Sequence, residues 1–193
     1  MPKIVDAASQ RVEIRAAARR VFARRGVRGT GLAHVAQEAR MGRSSLYHYY
    51  ADKEALLSDM LNELLGQERE LFRVCLRSEG APLARLESLS RACAALFPEW
   101  AEFGRMILDL RMEGASRLRS YFRGLRRELA AVIAEGQRDG SVVAQPDAGV
   151  LSSIVIGAID GLLLQYFVDS RGFPEPDVLA DALVDAMHRM VRA

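Results

Sequence analysis

At 193 residues, half of them hydrophobic, the chain can hold one ordinary domain or a small one joined to a larger one, with a sizeable core. Its net charge of +2 hides an asymmetry: residues 1–50 hold ten Lys/Arg against Asp6, Glu13 and Glu38, a surplus of seven that leaves the remainder at minus five. A basic head on an acidic body points to a polyanionic partner, while two cysteines, Cys75 and Cys93, with no CxxC pair or histidine cluster argue against a disulfide framework and a zinc site.

The start, MPKIVDAASQ, lacks the apolar core of a signal peptide, so a cytoplasmic protein with reduced thiols is expected. Residues 9–25 place Ile14, Ala18, Val21 and Phe22 on one helical face with arginines opposite, and Gly26 ends the helix. Thr30 then reads as the cap of a short helix with Leu32, Val35, Ala36 and Ala39 inward. A break at Arg40–Gly42 precedes a second short helix, about 43–49, and a long one, about 53–78. Leucines at 83, 86, 89 and 96 mark the next helix, and Pro98 opens another at EWAEFGRMILDLRM. A helix over about 115–135, a loop at EGQRDGSVVAQPD, an apolar helix at 148–169 and an amphipathic one at 176–192 complete an all-α chain of some nine helices. Residues 150–168 are long enough to raise a membrane span, but Ser152, Ser153, Asp160 and Gln165 interrupt them. A helix buried on both sides is expected instead, with no membrane partner.

Two short helices joined by a three- to four-residue turn, after a supporting first helix, form a helix-turn-helix unit, whose second helix lies in the DNA major groove. The run RMGRSSLYHYYADKEALL suits that task, because hydroxyls and cations on a short helix reach phosphates and base edges. AARRVFARRGVRGTGLAHVAQEA and SLYHYYADKEALL resemble the TetR family of transcriptional regulators, strongly over about residues 11–57. The resemblance implies an N-terminal helix-turn-helix domain over residues 1–55 and a helical ligand-binding and dimerisation domain over 56–193. It implies that Tyr47 and Lys53 contact phosphates, Lys53 together with the amide dipole of its helix, and that Thr30 does so at the start of helix two. Arg43, Ser44, Ser45, His48 and Tyr49 would read bases or adjacent phosphates. Tyr50 falls in a slot that is apolar core, and His34 reads as a plain surface residue. Arg40 stands where a turn glycine is usual, a left-handed position that costs a non-glycine residue roughly 1 kcal/mol, though its cation beside DNA offsets this. Gly42 replaces a Ser/Thr cap, and Gly31 a second hydroxyl residue.

The second domain implies a homodimer on a pseudo-palindromic double-stranded operator, with a small-molecule inducer and no cofactor. Helix 148–169 is apolar nearly all round, so Ile159 and Leu163, with His188 on the last helix, are expected at the dimer interface, and Gly157 and Gly161 permit close helix approach. Trp100, Phe103, Ile107, Phe122 and Tyr166 would line a pocket, with Asp160 either paired in the core or anchoring a ligand. The expected function is a repressor released by a hydrophobic or amphipathic ligand, cationic if Asp160 faces it, and not an enzyme. Two other readings stay open, a helical small-molecule enzyme and a DNA-binding regulator with no ligand. Against the enzyme, only His34, His48 and His188 exist and they are widely separated.

Overall fold

The computed structural model describes residues 6–97, 100, 115–169 and 171–191. Eight helices and no β-strand lie among them: α1 (Ala7–Arg25), α2 (Leu32–Glu38), α3 (Arg43–Tyr47), α4 (Lys53–Leu76), α5 (Pro82–Ala95), α6 (Ala115–Asp139), α7 (Ala148–Val168) and α8 (Pro176–Val191). The segment expected to form a further helix, EWAEFGRMILDLRM, lies outside the described residues apart from Trp100.

The chain forms two compact units that divide between Leu64 and Leu65, inside α4. In the first, the Asp6 carboxylate accepts from Ala8 N–H and opens α1, and Gly26 closes it at φ 72° with its N–H on Phe22 carbonyl. Ile14, Ala17, Ala18, Val21 and Phe22 are buried along α1, and they share the core with Leu32, Val35, Leu46 and Met60. The N-cap of α2 is Gly31, not Thr30. Glycine has no side chain to cap with, and His34 supplies one instead, its Nδ1 accepting from Gly31 N–H at 3.2 Å. The helix ends on Arg40, the single non-glycine residue with positive φ among those described, at 54°. Met41 N–H returns to Ala36 carbonyl at 3.0 Å, the hydrogen bond of a left-handed helix stop.

In the second unit α5 packs chiefly on α8, and α6 on α7. The core joins Phe72, Leu86, Leu89, Phe97, Leu129, Ile133 and Leu151, with Cys75 and Cys93 as buried free thiols. Pro82 starts α5 at a position where its missing N–H costs nothing. The Asp147 carboxylate caps α7 by accepting from Gly149 and Val150 N–H at 2.8 and 3.1 Å. Within its own chain only 28% of the apolar stretch Ala148–Tyr166 of α7 is buried. By length and composition α7 would also suffice to cross a membrane. Leu151, Val155 and Ile159 face the core, while Val150, Ile154, Leu164 and Val168 are exposed.

Candidate DNA-binding site

Arg20 Nε donates to Glu38 Oε1 at 2.8 Å and Arg24 pairs with the same carboxylate, which pins the end of α2 onto α1. The two guanidinium groups hold Glu38 below the usual carboxylate range. The left-handed Arg40 then reverses the chain, and Gly42 leads into the five residues of α3. Of these only Leu46 is buried. Arg43, Ser44 and Ser45 are exposed, as are Tyr47 at 44% and His48 just beyond the helix, and Tyr49 is half-buried. The Arg43 guanidinium carbon lies 5.8 Å from the centre of the Tyr47 ring, so cation and phenol share one face. Beside this unit, a polar hollow of about 390 Å³ is lined by Arg24, Arg25, His34, Gln37, Glu38, Arg40 and Val21. The cationic surface therefore extends from the turn back to α1.

The exit from α3 is held by a network in which Tyr50 is central. Its ring is buried under the Arg11 guanidinium, 4.8 Å away, and its hydroxyl donates to Asp59. Arg15 bridges α1 to α4 with three hydrogen bonds, Nε and one terminal nitrogen on Glu63 and the other on Asp59, at 2.9–3.0 Å. Arg19 adds 2.7 Å to Glu63. Burial works against the Asp59 charge, but Tyr50, Arg15 and Arg11 outweigh it and hold the carboxyl below its ordinary value.

Two expectations require correction. Thr30 is 2% exposed and its hydroxyl donates to Gly26 carbonyl at 2.7 Å, so it braces the loop and does not present that group at the surface. Lys53 is half-buried, with Nζ donating to Val27 carbonyl at 3.1 Å, and the first turn of its helix is already capped. Asp52 Oδ1 accepts from Ala55 N–H at 2.7 Å, leaving that amide unavailable to a phosphate. Tyr50 is the residue passed over from sequence: a tyrosine in an apolar slot needs a hydroxyl partner, and Asp59 supplies it.

In the second unit Tyr166 lies between Phe97 and Phe173, with ring centres 6.3 and 5.5 Å apart, and Phe122 meets Tyr121 edge-on at 5.3 Å. Trp100 is buried, and Asp160 is half-buried with no ion pair among the described residues. Phe103 and Ile107 lie outside the described residues. Ile159, expected at a dimer interface, is 2% exposed because it turns into its own core. Leu163 is half-buried, and His188 lies 3.7 Å from Glu87 of its own chain.

Residues 14–60 match the sequence profile of bacterial regulatory proteins of the tetR family. The transcriptional repressor KstR2 of Mycobacterium tuberculosis is 34% identical over 84 residues, 44% of this chain and 42% of that protein, so the match spans under half of this relative. The transcriptional regulator TtgR of Pseudomonas putida is 27% identical over 182 residues, 86% of this chain and 87% of TtgR. Among solved structures, AibR in complex with isovaleryl coenzyme A and operator DNA superposes with a TM-score of 0.71 at 21% identity, covering 92% of this chain and 97% of AibR. The helix-turn-helix geometry and the profile match lead to one assignment: residues 14–60 form a DNA-binding domain of the tetR family of bacterial regulatory proteins.

Proposed function

We propose that the chain is a cytoplasmic, homodimeric, sequence-specific DNA-binding transcriptional repressor that a small hydrophobic or amphipathic molecule releases from its operator. The observation that carries this reading is α3: four of its five side chains are turned outward, and all four can hydrogen-bond to nucleic acid. Arg40, Arg43 and Tyr47 are the candidates for phosphate contacts, and Ser44, Ser45, His48 and Tyr49 for base edges or adjacent phosphates. The names of KstR2 and TtgR favour a regulator over a helical enzyme.

Dimerisation is supported by the exposed face of α7. Val150, Ile154, Gly157, Gly161, Leu164 and Val168 recur at alternating steps of four and three, the spacing of a helix-pairing seam. A Cβ added at Gly157 or Gly161 meets nothing within 4 Å in the single chain, so the space over both glycines is open to a second helix. A partner copy of α7, with Leu163 and His188 at the margins, accounts for this apolar seam better than a lipid bilayer does. AibR, with an acyl-CoA and operator DNA together in its structure, supports a ligand for the second unit. Trp100, Phe122, Asp160 and Tyr166 are the candidates to face it, with Phe103 and Ile107 from the sequence.

Selection from a random duplex library tests the reading. It should enrich two-fold related sites with half-sites about 34–36 Å apart, or a multiple of that. A library that shows no enrichment over repeated rounds would overturn it.

A further inference from the structure

The polar hollow of about 390 Å³ beside the helix-turn-helix takes its walls from the last turn of α1, from α2 and from the turn that follows α2. Three guanidinium groups, those of Arg24, Arg25 and Arg40, line it against one carboxylate, Glu38. That carboxylate is already taken. Its Oε1 accepts from Arg20 at 2.8 Å and its Oε2 from Arg24, and the two guanidiniums hold it in the ionised form. The side chains of Arg25 and Arg40 are exposed, with no ion pair or hydrogen bond among the described residues. His34 spends Nδ1 on accepting from Gly31 N–H at 3.2 Å, so its neutral ring carries the proton on Nε2 and has a donor left for the hollow that it lines. Gln37, exposed one turn along the same helix, adds a side-chain amide.

The charges left to the hollow are therefore positive, and the neutral groups beside them carry N–H donors. At ~30 Å³ per water the space holds roughly a dozen waters, more than a single tetrahedral anion displaces. An anion that fills it comes attached to something larger. We propose that this hollow binds a phosphate ester, with Arg25 and Arg40 on its anionic oxygens and the His34 Nε2–H and Gln37 amide on the others. A guanidinium fork matches phosphate oxygens with two parallel N–H bonds. The backbone of Arg40 accords with this role: at φ 54° glycine would be the unstrained residue, yet an arginine stands there and puts a cation on the wall.

The site is distinct from the outward side chains of α3, since Arg43, Ser44, Ser45 and Tyr47 do not line it. A DNA backbone or a soluble phosphate ester can supply the group, so the inference stands without the operator reading. Where DNA is the source, the first helix of a helix-turn-helix crosses the backbone, and α2 brings this wall to a phosphate.

The test uses the full chain in two arms at neutral pH. In the first, calorimetric titration with pyrophosphate at constant ionic strength should give one site per chain. Arg25→Gln combined with Arg40→Gly, the second of which suits the left-handed backbone, should weaken it about tenfold or more. Arg25→Gln alone should weaken it about threefold or more should the double variant fail to fold. Arg123→Gln, which removes an equal charge from an exposed position on α6, should stay within about twofold of wild type.

In the second arm, anisotropy of a labelled random-sequence duplex is followed against salt and against pyrophosphate. With the DNA backbone as the source, Arg25→Gln should lower the slope of log affinity against log salt by about 0.9, and pyrophosphate should displace the duplex. With a soluble ester as the source, the slope should keep its wild-type value and pyrophosphate should bind the free protein and its DNA complex alike. Pyrophosphate affinity equal in wild type and the double variant, together with an unchanged salt slope, would overturn the hollow as a phosphate site. Wild type that bound pyrophosphate through Arg25 and Arg40 but no duplex would remove the DNA-binding reading and leave this site in place.

Discussion

Gly157→Leu separates the dimer seam from the fold of the chain. Within one chain the substitution is favourable, because an added Cβ meets nothing within 4 Å and leucine is a better helix former than glycine by about 0.8 kcal/mol. Across a two-fold seam the same side chain intrudes twice, once from each copy. Overpacking costs about 1–3 kcal/mol per site, or about 2–6 kcal/mol per dimer, a rise in dissociation constant from about 30-fold to more than 10⁴-fold. Gly157→Ala should give a smaller step in the same direction, and Gly161→Leu should repeat the effect one turn along. Sedimentation velocity over nanomolar to micromolar concentrations measures the dissociation constant, and helical circular dichroism checks that the monomer keeps its fold. A Gly157→Leu protein that sediments as a dimer with wild-type affinity would refute the pairing of α7 across these glycines.

Arg15→Met leaves Asp59 and Glu63 facing each other without their bridging guanidinium. It should cost about 2–3 kcal/mol in urea unfolding, less than a fully buried ion pair because both carboxylates are partly exposed. Glu68 and Asp160 have folded pKa values raised by burial, so without ligand the protein should lose stability as pH rises from about 4 through 7, by about 1–2 kcal/mol after allowance for partial exposure. Asp59 acts oppositely: its contribution is present above about pH 4 and is lost as pH falls through its lowered value, so thermal melts should pass through a maximum in mildly acidic buffer. Arg43→Ala should lower the slope of log affinity against log salt by about 0.9, whereas Ser45→Ala and His48→Ala should change which duplexes are selected.

The helical period carries most of the fold, because apolar spacing on α1, α2 and α4 fixes which faces turn inward. The exposed positions of α3 follow from the same logic, with Leu46 its one inward anchor. Less visible were features that depend on a partner distant in the chain. Thr30 looks like a cap by type, yet the loop carries it inward to Gly26, and His34 takes the cap because Gly31 has no side chain. Ile159 and Leu164 are equally apolar, and only the angular position on α7 separates core from seam. Glu68 lies four residues from Leu64 and four from Phe72, a charged residue in an apolar stripe. That is a signal the sequence does contain, but its meaning depends on Tyr121 and Asp160 arriving from other helices.

The two units treat their carboxylates in opposite ways. In the first, Glu38, Asp59 and Glu63 each bind arginine, so acidic groups are spent on holding α1, α2 and α4 together, and Arg40 and Arg43 are left outward around α3. A surface so arranged keeps its positive charge for an anion. In the second, burial raises the pKa values of Glu68 and Asp160, and neither has an arginine ion pair among the described residues. Substituting the first kind of carboxylate should therefore lower stability and loosen helix placement, and Glu68→Gln or Asp160→Asn should flatten the fall in stability between about pH 4 and 7. The same side-chain chemistry holds helices together where it is paired and makes stability depend on pH where burial raises it.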